Sequence, residues 1–414
     1  MRILILAGWY PNGNNPMKGT FIREQALALL KAGLPVAVFY PFDEELKSGE
    51  MKENVEDGLK VYRANTLGNG NRFIGRFRSY SRVFGLLKRI IQDFQPNLLH
   101  VHVGYPAGIM AYLFTRRHEM PYLITEHMSY LQDYVDKWQH RFLLKRAFEH
   151  AQRVLPVSTA LERQFSFWGW FVQSQKVPNV VDTERFQLIK VRSSAPEADS
   201  ECSLESKNVL RILFAGNMEG TEVKGVQYLL PAFAQLVESR RSSEQTLHLD
   251  LVGDGSKRED YEHLALKLGI AGFVTFHGRV NPKEMPSFYQ RADLLVLPSI
   301  KETFGCVLIE AMACGKPVLA TACGGPQDIV RENSGFLVPP GNIPALVKGL
   351  ENMLSSLENY DPEEIRKYAI QNYSPGAVAK RLIKIYEEIL SGNTRDNPNS
   401  NNSGDDANER EGKN

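Results

Sequence analysis

Short runs of consecutive apolar residues recur along the whole chain, most of them closed by glycine, proline or asparagine and followed by an amphipathic stretch. In the first half they fall at 3–7, 36–40, 97–103, 121–125 and 154–158; in the second, at 212–216, 247–252, 273–280, 294–297 and 318–321. A run that is apolar at every position, and not only at alternate ones, predicts a parallel strand covered on both faces. Between the runs the period changes. Phe21, Ile22, Ala26, Leu27, Leu29 and Leu30 recur at helical spacing between Thr20, the expected cap, and Gly33; Val226, Leu229, Leu230, Phe233 and Leu236 repeat the pattern. Strand, glycine loop, helix and strand make a βαβ unit, and the rhythm lapses after the first half and restarts at Arg211. A chain of 414 residues exceeds one ordinary domain. The pattern predicts an α/β protein of two Rossmann-like parallel-sheet domains, 1–189 and 209–372, with helices opening at Pro344, Pro362 and Pro375. The polar stretch 190–208 reads as a linker or mobile loop, and 392–414, which lacks large apolar residues, as a disordered tail.

The stretch from Pro298 to Thr321 carries the strongest chemical signal. After the apolar run 294–297, Thr303 is expected to cap a helix whose positions Val307, Leu308, Ala311 and Met312 are apolar, with Gly315 and Pro317 ending it. Glu302 then lies just before the helix, Glu310 within it, and Phe304 and Gly305 at its opening turn. Eight residues along a continuous helix span about 12 Å. Two carboxylates that far apart cannot share a proton as a hydrolytic pair does. They suit the two hydroxyl-bearing ends of one long ligand, with an anion held between them by free helix amides; the plain alternative is a buried helix with incidental glutamates.

Other candidates are weaker. Gly19 precedes the first helix and Lys224 with Gly225 precedes the helix of the second half, where an ammonium can pair with phosphate. His100 and His102 alternate along one strand and so face one side of the sheet, as core groups or as ligands. Glu126 and His127 stand at the carboxyl end of the next strand, the edge where open α/β sheets collect ligands. Asn179 and Asp182 read as turn-makers, His277 as structural and Lys316 as a solvated turn residue.

Charge and composition narrow the partners. Lys and Arg number 49 against 48 Asp and Glu, a net +1, so overall charge predicts no nucleic-acid partner. Segment 60–89, however, holds eight Lys and Arg and no acidic residue, with aromatics at helical spacing from Phe73 to Phe84. The stretch 71–94 reads as a basic amphipathic helix with its aromatics in the core, or as one in contact with an anionic membrane surface or a lipid diphosphate. Four cysteines without metal-type pairing fit reduced thiols in a cytosolic protein. The N-terminus reads as a first strand and not a signal peptide, no run approaches the roughly 20 apolar residues of a membrane span, and no acidic metal motif is visible.

The string ETFGCVLIEAMACGKPV, residues 302–318, resembles the donor-site signature of the retaining glycosyltransferases of family 4. The resemblance implies the GT-B fold: two Rossmann-like domains facing a cleft, with a last helix, 373–391, crossing back to the first domain. It implies a nucleotide-sugar donor whose sugar meets Glu302, whose phosphates and sugar meet the Phe304 and Gly305 backbone, and whose ribose meets Glu310. Gly19 would face donor phosphate and acceptor, His127 in LITEH would contact the donor sugar, Lys224 the diphosphate, and the backbone of Gly278, Arg279 and Val280 the base. One position departs. Asn217 stands where the family has an arginine, and the loop before Lys224 is longer; Arg279 is a candidate to supply the missing guanidinium, or the donor binds more weakly. The implied function is metal-independent, retaining transfer of a sugar to a saccharide or lipid-linked acceptor, in the cytoplasm or on the inner membrane face. The alternatives are a sugar-nucleotide epimerase or phosphorylase on a similar frame, or a non-catalytic carbohydrate-binding relative.

Overall fold

The computed structural model describes residues 1–67, 72–189, 209–243 and 245–392, with the backbone alone for 72–78. The expected linker 190–208 and nearly all of the expected tail, 393–414, lie outside the described residues. The first sheet holds β1 (Ile3–Ala7), β2 (Val36–Tyr40), β3 (Met51–Glu56), β4 (Leu59–Ala64), β5 (Leu98–His102), β6 (Tyr122–Glu126) and β7 (Val154–Pro156), in the order β3-β4-β2-β1-β5-β6-β7. The second holds β8 (Val209–Ala215), β9 (Thr246–Val252), β10 (Val274–Gly278), β11 (Leu294–Leu297), β12 (Val318–Thr321) and β13 (Gly335–Val338), in the order β10-β9-β8-β11-β12-β13. Every pairing is parallel except β3 with β4. The strands read from continuous apolar runs are those buried at every position, such as β1, β2 and β11.

The β3–β4 hairpin was not expected, and its physics explains why. Lys52, Glu53, Asn54 and Val55 are exposed, as suits the edge of a sheet, so no apolar run marks the strand. The available signal was Asp57-Gly58, both at positive φ, a pair suited to a tight hairpin turn. Two expected caps also move. Thr20 is the first residue of the helix Thr20–Lys31, which Gly19 precedes in the left-handed conformation, and the helix after β11 runs Cys306–Ala313 from Gly305 at φ 98°. Thr303 lies before that turn; a left-handed opening position favours glycine over a threonine cap.

The helix Pro375–Leu390 leaves the second domain and buries Val378, Ala379, Leu382, Ile385, Tyr386 and Ile389 in the first domain's core. Fully burying each large apolar side chain stabilises by about 1.5–3 kcal/mol, so this helix joins the two halves covalently and energetically. The exchange runs the other way too. Val157, Leu161, Val181 and Phe186 join the core of the second sheet, so part of 157–189 packs with the second domain although it precedes the expected boundary.

Both sheets reverse their strand order in the middle, between β1 and β5 and between β8 and β11. Clefts in open parallel sheets form at the carboxyl ends of strands flanking such a reversal. The loops leaving β1, β5, β8 and β11 carry Gly19, the segment 103–108, Lys224 and Glu302.

Candidate active site

The loops after β8 and β11 are bound to each other before any ligand arrives. The Ile300 amide donates to the Val223 carbonyl at 2.7 Å, and a Cβ at Gly225 would sit 1.9 Å from the Pro298 carbonyl oxygen. Gly225, at φ 76°, is therefore required twice over, by conformation and by contact, and it opens the helix Val226–Ser239. This approach brings Lys224 Nζ to 2.6 Å from Glu302 Oε2, with Ser299 Oγ 3.4 Å from the same oxygen. The lysine side chain is 30% exposed and the glutamate 13%, so the pair lines a surface open to a ligand. Three helices begin here at left-handed glycines, Gly19, Gly225 and Gly305, and none has a side-chain cap. Their first amides stay free for an anion.

Glu310 lies one helical stretch further on. Tyr289 donates its hydroxyl to Glu310 Oε2 at 2.6 Å, and burial raises the carboxyl to about 7, against the opposing effects of that hydrogen bond and then of Arg185. Its other oxygen has no hydrogen-bond partner among the described residues. Asn217 and Arg279 are both exposed and neither makes a hydrogen bond or ion pair among the described residues. The Gly278 carbonyl accepts from the Gly253 amide at 2.9 Å, and Val280 is half-buried beside it. Lys316 corrects an expectation. It is half-buried, not solvated, and burial lowers the pKa of its ammonium. His277 is structural as expected, with Nε2 2.6 Å from Asp250 Oδ1.

Two family models match the chain in succession: "Glycosyl transferase 4-like domain" over residues 19–179 and "Glycosyl transferases group 1" over 197–373. The chain is a glycosyltransferase. It is 28% identical to the D-inositol 3-phosphate glycosyltransferase of Corynebacterium urealyticum over 89% of this chain and 90% of that one. It is 27% identical to the putative teichuronic acid biosynthesis glycosyltransferase TuaC of Bacillus subtilis over 94% and 99%. Among solved structures, sucrose-phosphate synthase from Thermosynechococcus elongatus superposes with a TM-score of 0.75 at 21% identity, over 95% of this chain and all of that one. Anabaena HepE in complex with UDP does so at 0.72 and 19%, over 94% and 100%. The fold is thus GT-B.

On the first-domain side of this glycosyltransferase the site is built from buried neutral groups. Glu126, at the end of β6, is fully buried and accepts three backbone N–H bonds, from Gly104 at 2.7 Å, His127 at 2.8 Å and Met128 at 2.7 Å. Burial outweighs those donors and raises the carboxyl to about 7. His127 packs against Phe21 in a tilted arrangement with 4.3 Å between ring centroids, and its Nε2 lies 3.0 Å from His102 Nδ1. His100 lies on the same side of β5, its Nδ1 2.6 Å from Tyr386 Oη and its Nε2 2.7 Å from Thr125 Oγ1. Burial lowers His100 and His127 to about 3 and holds His102 well below its ordinary value, so all three are neutral near pH 7. A neutral imidazole beside a sugar donates or accepts one hydrogen bond and adds no charge.

Sequence reasoning placed Asn179 as a turn-maker and missed its position. Asn179 is buried, donates to Cys306 Sγ at 3.3 Å, and acts on His127 in the direction of protonation. It thus stands between His127 and the first turn of the Gly305 helix, joining the halves of the site. Asp182 does make the turn, accepting from the Glu184 and Arg185 amides. The signal for Asn179 was its place at the exit from the first domain; a buried side chain facing across a cleft has no signature in local spacing.

Proposed function

We propose that this glycosyltransferase moves a sugar, with retention of its anomeric configuration, from a nucleotide-sugar donor to a saccharide or lipid-linked acceptor in glycan biosynthesis. The observation that carries the reading is the Lys224–Glu302 pair at 2.6 Å, set among helix N-termini whose amides are free. A diphosphate entering there meets the ammonium and the dipoles of the Gly225 and Gly305 helices, which stabilise the charge that develops as the bond from sugar C1 to phosphate oxygen breaks. Glu302, released from the lysine, accepts hydrogen bonds from sugar hydroxyls, and the free oxygen of Glu310 accepts from the ribose. His127 bonds the sugar as a neutral imidazole. The leaving diphosphate takes the acceptor hydroxyl's proton as the new bond forms on the same face of C1. The lysine and helix ends supply the positive charge, so the transfer uses no metal ion.

A uridine donor is the first choice to test, because HepE, which shares the fold, has been crystallised with UDP and with UDP-glucose. The relatives in inositol phosphate and teichuronic acid glycosylation support a role in making glycans. The test is a thermal-stability screen of UDP-, GDP- and ADP-sugars, since a ligand that binds only the folded state raises apparent stability. The best stabiliser is then supplied with acceptors, with and without EDTA, and the product anomer read by NMR. One sugar nucleotide should stabilise, and the product should keep the donor's configuration in the presence of EDTA. An inverted product, or turnover lost to EDTA, contradicts the mechanism; no stabilisation by any sugar nucleotide contradicts the donor.

A further inference from the structure

Away from the cleft, exposed aromatic side chains gather on one face of the first domain. Of the six most exposed large hydrophobic residues among the described ones, four are aromatic and lie between 138 and 171: Phe167 at 84%, Trp138 and Phe171 at 79%, and Phe142 at 62%. Trp138 and Phe142 are one turn apart on the helix Trp138–Glu149, whose opposite side buries Leu144, Ala147 and Phe148. Phe167 and Phe171 flank a turn docked beside that helix. Lys145 donates to the Gly169 carbonyl at 3.0 Å and lies 5.8 Å from the Phe171 ring, and the Phe171 amide donates to Glu149.

These rings are held outward by a packed base. Trp168 and Trp170 of the same turn point inward, 4.9 Å apart, and contact Phe165, while Trp170 also meets Phe148. Two inward tryptophans thus stand between two outward phenylalanines, so the packing that holds the turn does not come from the exposed rings. Cations lie among them: the Arg146 guanidinium is 5.5 Å from the Phe142 ring, Lys145, which also pairs with Glu149 at 2.8 Å, is 5.8 Å from the Phe171 ring, and between 137 and 171 there are six Lys and Arg against two Glu. Four such outward aromatic side chains on one face are uncommon on a free surface, and exposed aromatics with Lys and Arg beside them match the headgroup zone of an anionic bilayer.

We propose that this face, centred on Trp138, Phe142, Phe167 and Phe171, docks on an anionic phospholipid bilayer. The fold ties it to the acceptor side. Phe148 on the buried side of the docking helix packs against Gly104, and a row of rings runs from Tyr105 to Tyr134 at 4.1 Å, on to Tyr130 at 6.4 Å and to Trp9 at 6.0 Å, beside the Gly19 loop. A lipid-linked acceptor would reach the cleft along that row; the docking itself does not depend on the glycosyltransferase mechanism. In the basic segment 60–89, Lys60 pairs with Glu53 and Asp93, and Arg63 with Glu56 and Asp43, while the side chains of 72–78 lie outside the described residues.

The test is co-sedimentation of the full chain with vesicles of phosphatidylglycerol and phosphatidylcholine in equal parts, and with phosphatidylcholine alone. The wild type should bind the mixed vesicles and much less the neutral ones. Phe167→Ser with Phe171→Ser, and separately Trp138→Ser, should each lower the partition coefficient about tenfold, in keeping with lost burial of aromatic area. Arg141→Glu with Arg146→Glu should remove the dependence on phosphatidylglycerol, while Lys88→Glu with Arg89→Glu on the helix Arg72–Phe94 should change little. Wild type that ignores both vesicles, patch variants that bind like wild type, or a solution dimer that the patch variants dissolve in the absence of vesicle binding would each overturn the proposal. Unchanged thermal stabilisation by the sugar nucleotide in the patch variants shows them folded and separates this outcome from failure of the donor reading.

Discussion

The two halves of the cleft solve opposite electrostatic problems. The second domain presents an ion pair at a partly exposed surface, Lys224 against Glu302, while the first presents buried groups pushed toward neutrality, His100, His102, His127 and a Glu126 whose carboxyl is raised to about 7. Under the proposed mechanism the former side would stabilise a charged leaving group, and the latter would orient an uncharged sugar without competing for the diphosphate.

The sharpest way to break that contrast is to remove the ammonium. Lys224→Ala should lower the transfer rate about 10²–10³-fold, the loss typical of one charge-stabilising donor, while His127→Asn, which keeps a neutral hydrogen-bonding group, should lose less; initial-rate kinetics with saturating donor compares them. Equal losses would erase the distinction.

Backbone geometry comes next. Gly225→Ala forces a Cβ against the Pro298 carbonyl and should destabilise by several times the ~1 kcal/mol that positive φ alone costs, whereas Gly376→Ala, whose Cβ meets nothing within 4 Å, should be neutral or slightly stabilising; urea unfolding measures both.

Tyr386→Phe should cost about 1–3 kcal/mol, because it strands buried His100 Nδ1 and weakens the crossing helix in the first domain. Chemical denaturation with tryptophan fluorescence reads this loss.

Acid titration separates the buried groups by sign. The three histidines have folded pKa values below the ordinary 6.5, so the unfolded chain binds more protons and stability is lost as pH falls below 6.5. Glu126 and Glu310, raised from 4.5 to about 7, act oppositely: the folded state binds more protons, and their contribution is lost as pH rises from 4.5 to 7. The two sets oppose each other between 4.5 and 6.5, three protons against two; below 4.5 that opposition ends, and Glu50, Asp93, Asp260 and Asp328, whose carboxyls are held below their ordinary values, add to the loss. Stability should therefore fall gently to pH 4.5 and steeply beneath it, at about 1.4 kcal/mol per pH unit for each net proton. Glu126→Gln should steepen the upper part of the curve in denaturation series at stepped pH. The smallest effect is expected from Asn217→Arg, which restores a guanidinium at an exposed, unpaired position and should tighten donor binding a few-fold by calorimetry.

Legibility in the sequence follows the same division. The second domain's site lies on consecutive turns, so Glu302, Phe304, Gly305 and Glu310 announce themselves as one string, and Lys224 with Gly225 stands at a helix start. The strands β1, β2, β11 and β12 were readable to the residue because a strand buried on both faces leaves an uninterrupted apolar run. The first domain's site is assembled from afar. His100 meets Tyr386 across nearly the whole chain, Asn179 meets Cys306 in the other domain, and His102 meets His127 through the β5–β6 pairing. Local spacing holds no trace of such contacts. The polar edge strand β3 and the left-handed helix starts were missed for a related reason: partner strands and backbone conformation decide them, not side-chain period.

The most direct test of the central claim is a crystal of the protein with the stabilising sugar nucleotide. The account predicts diphosphate oxygens at hydrogen-bond distance from Lys224 Nζ and the first amides of the Gly305 helix, ribose on Glu310, and the Lys224–Glu302 pair opened. Nucleotide bound elsewhere, for instance in the cavity lined by Pro11, Asp43, Glu45 and Arg63, with that pair still closed, would contradict it.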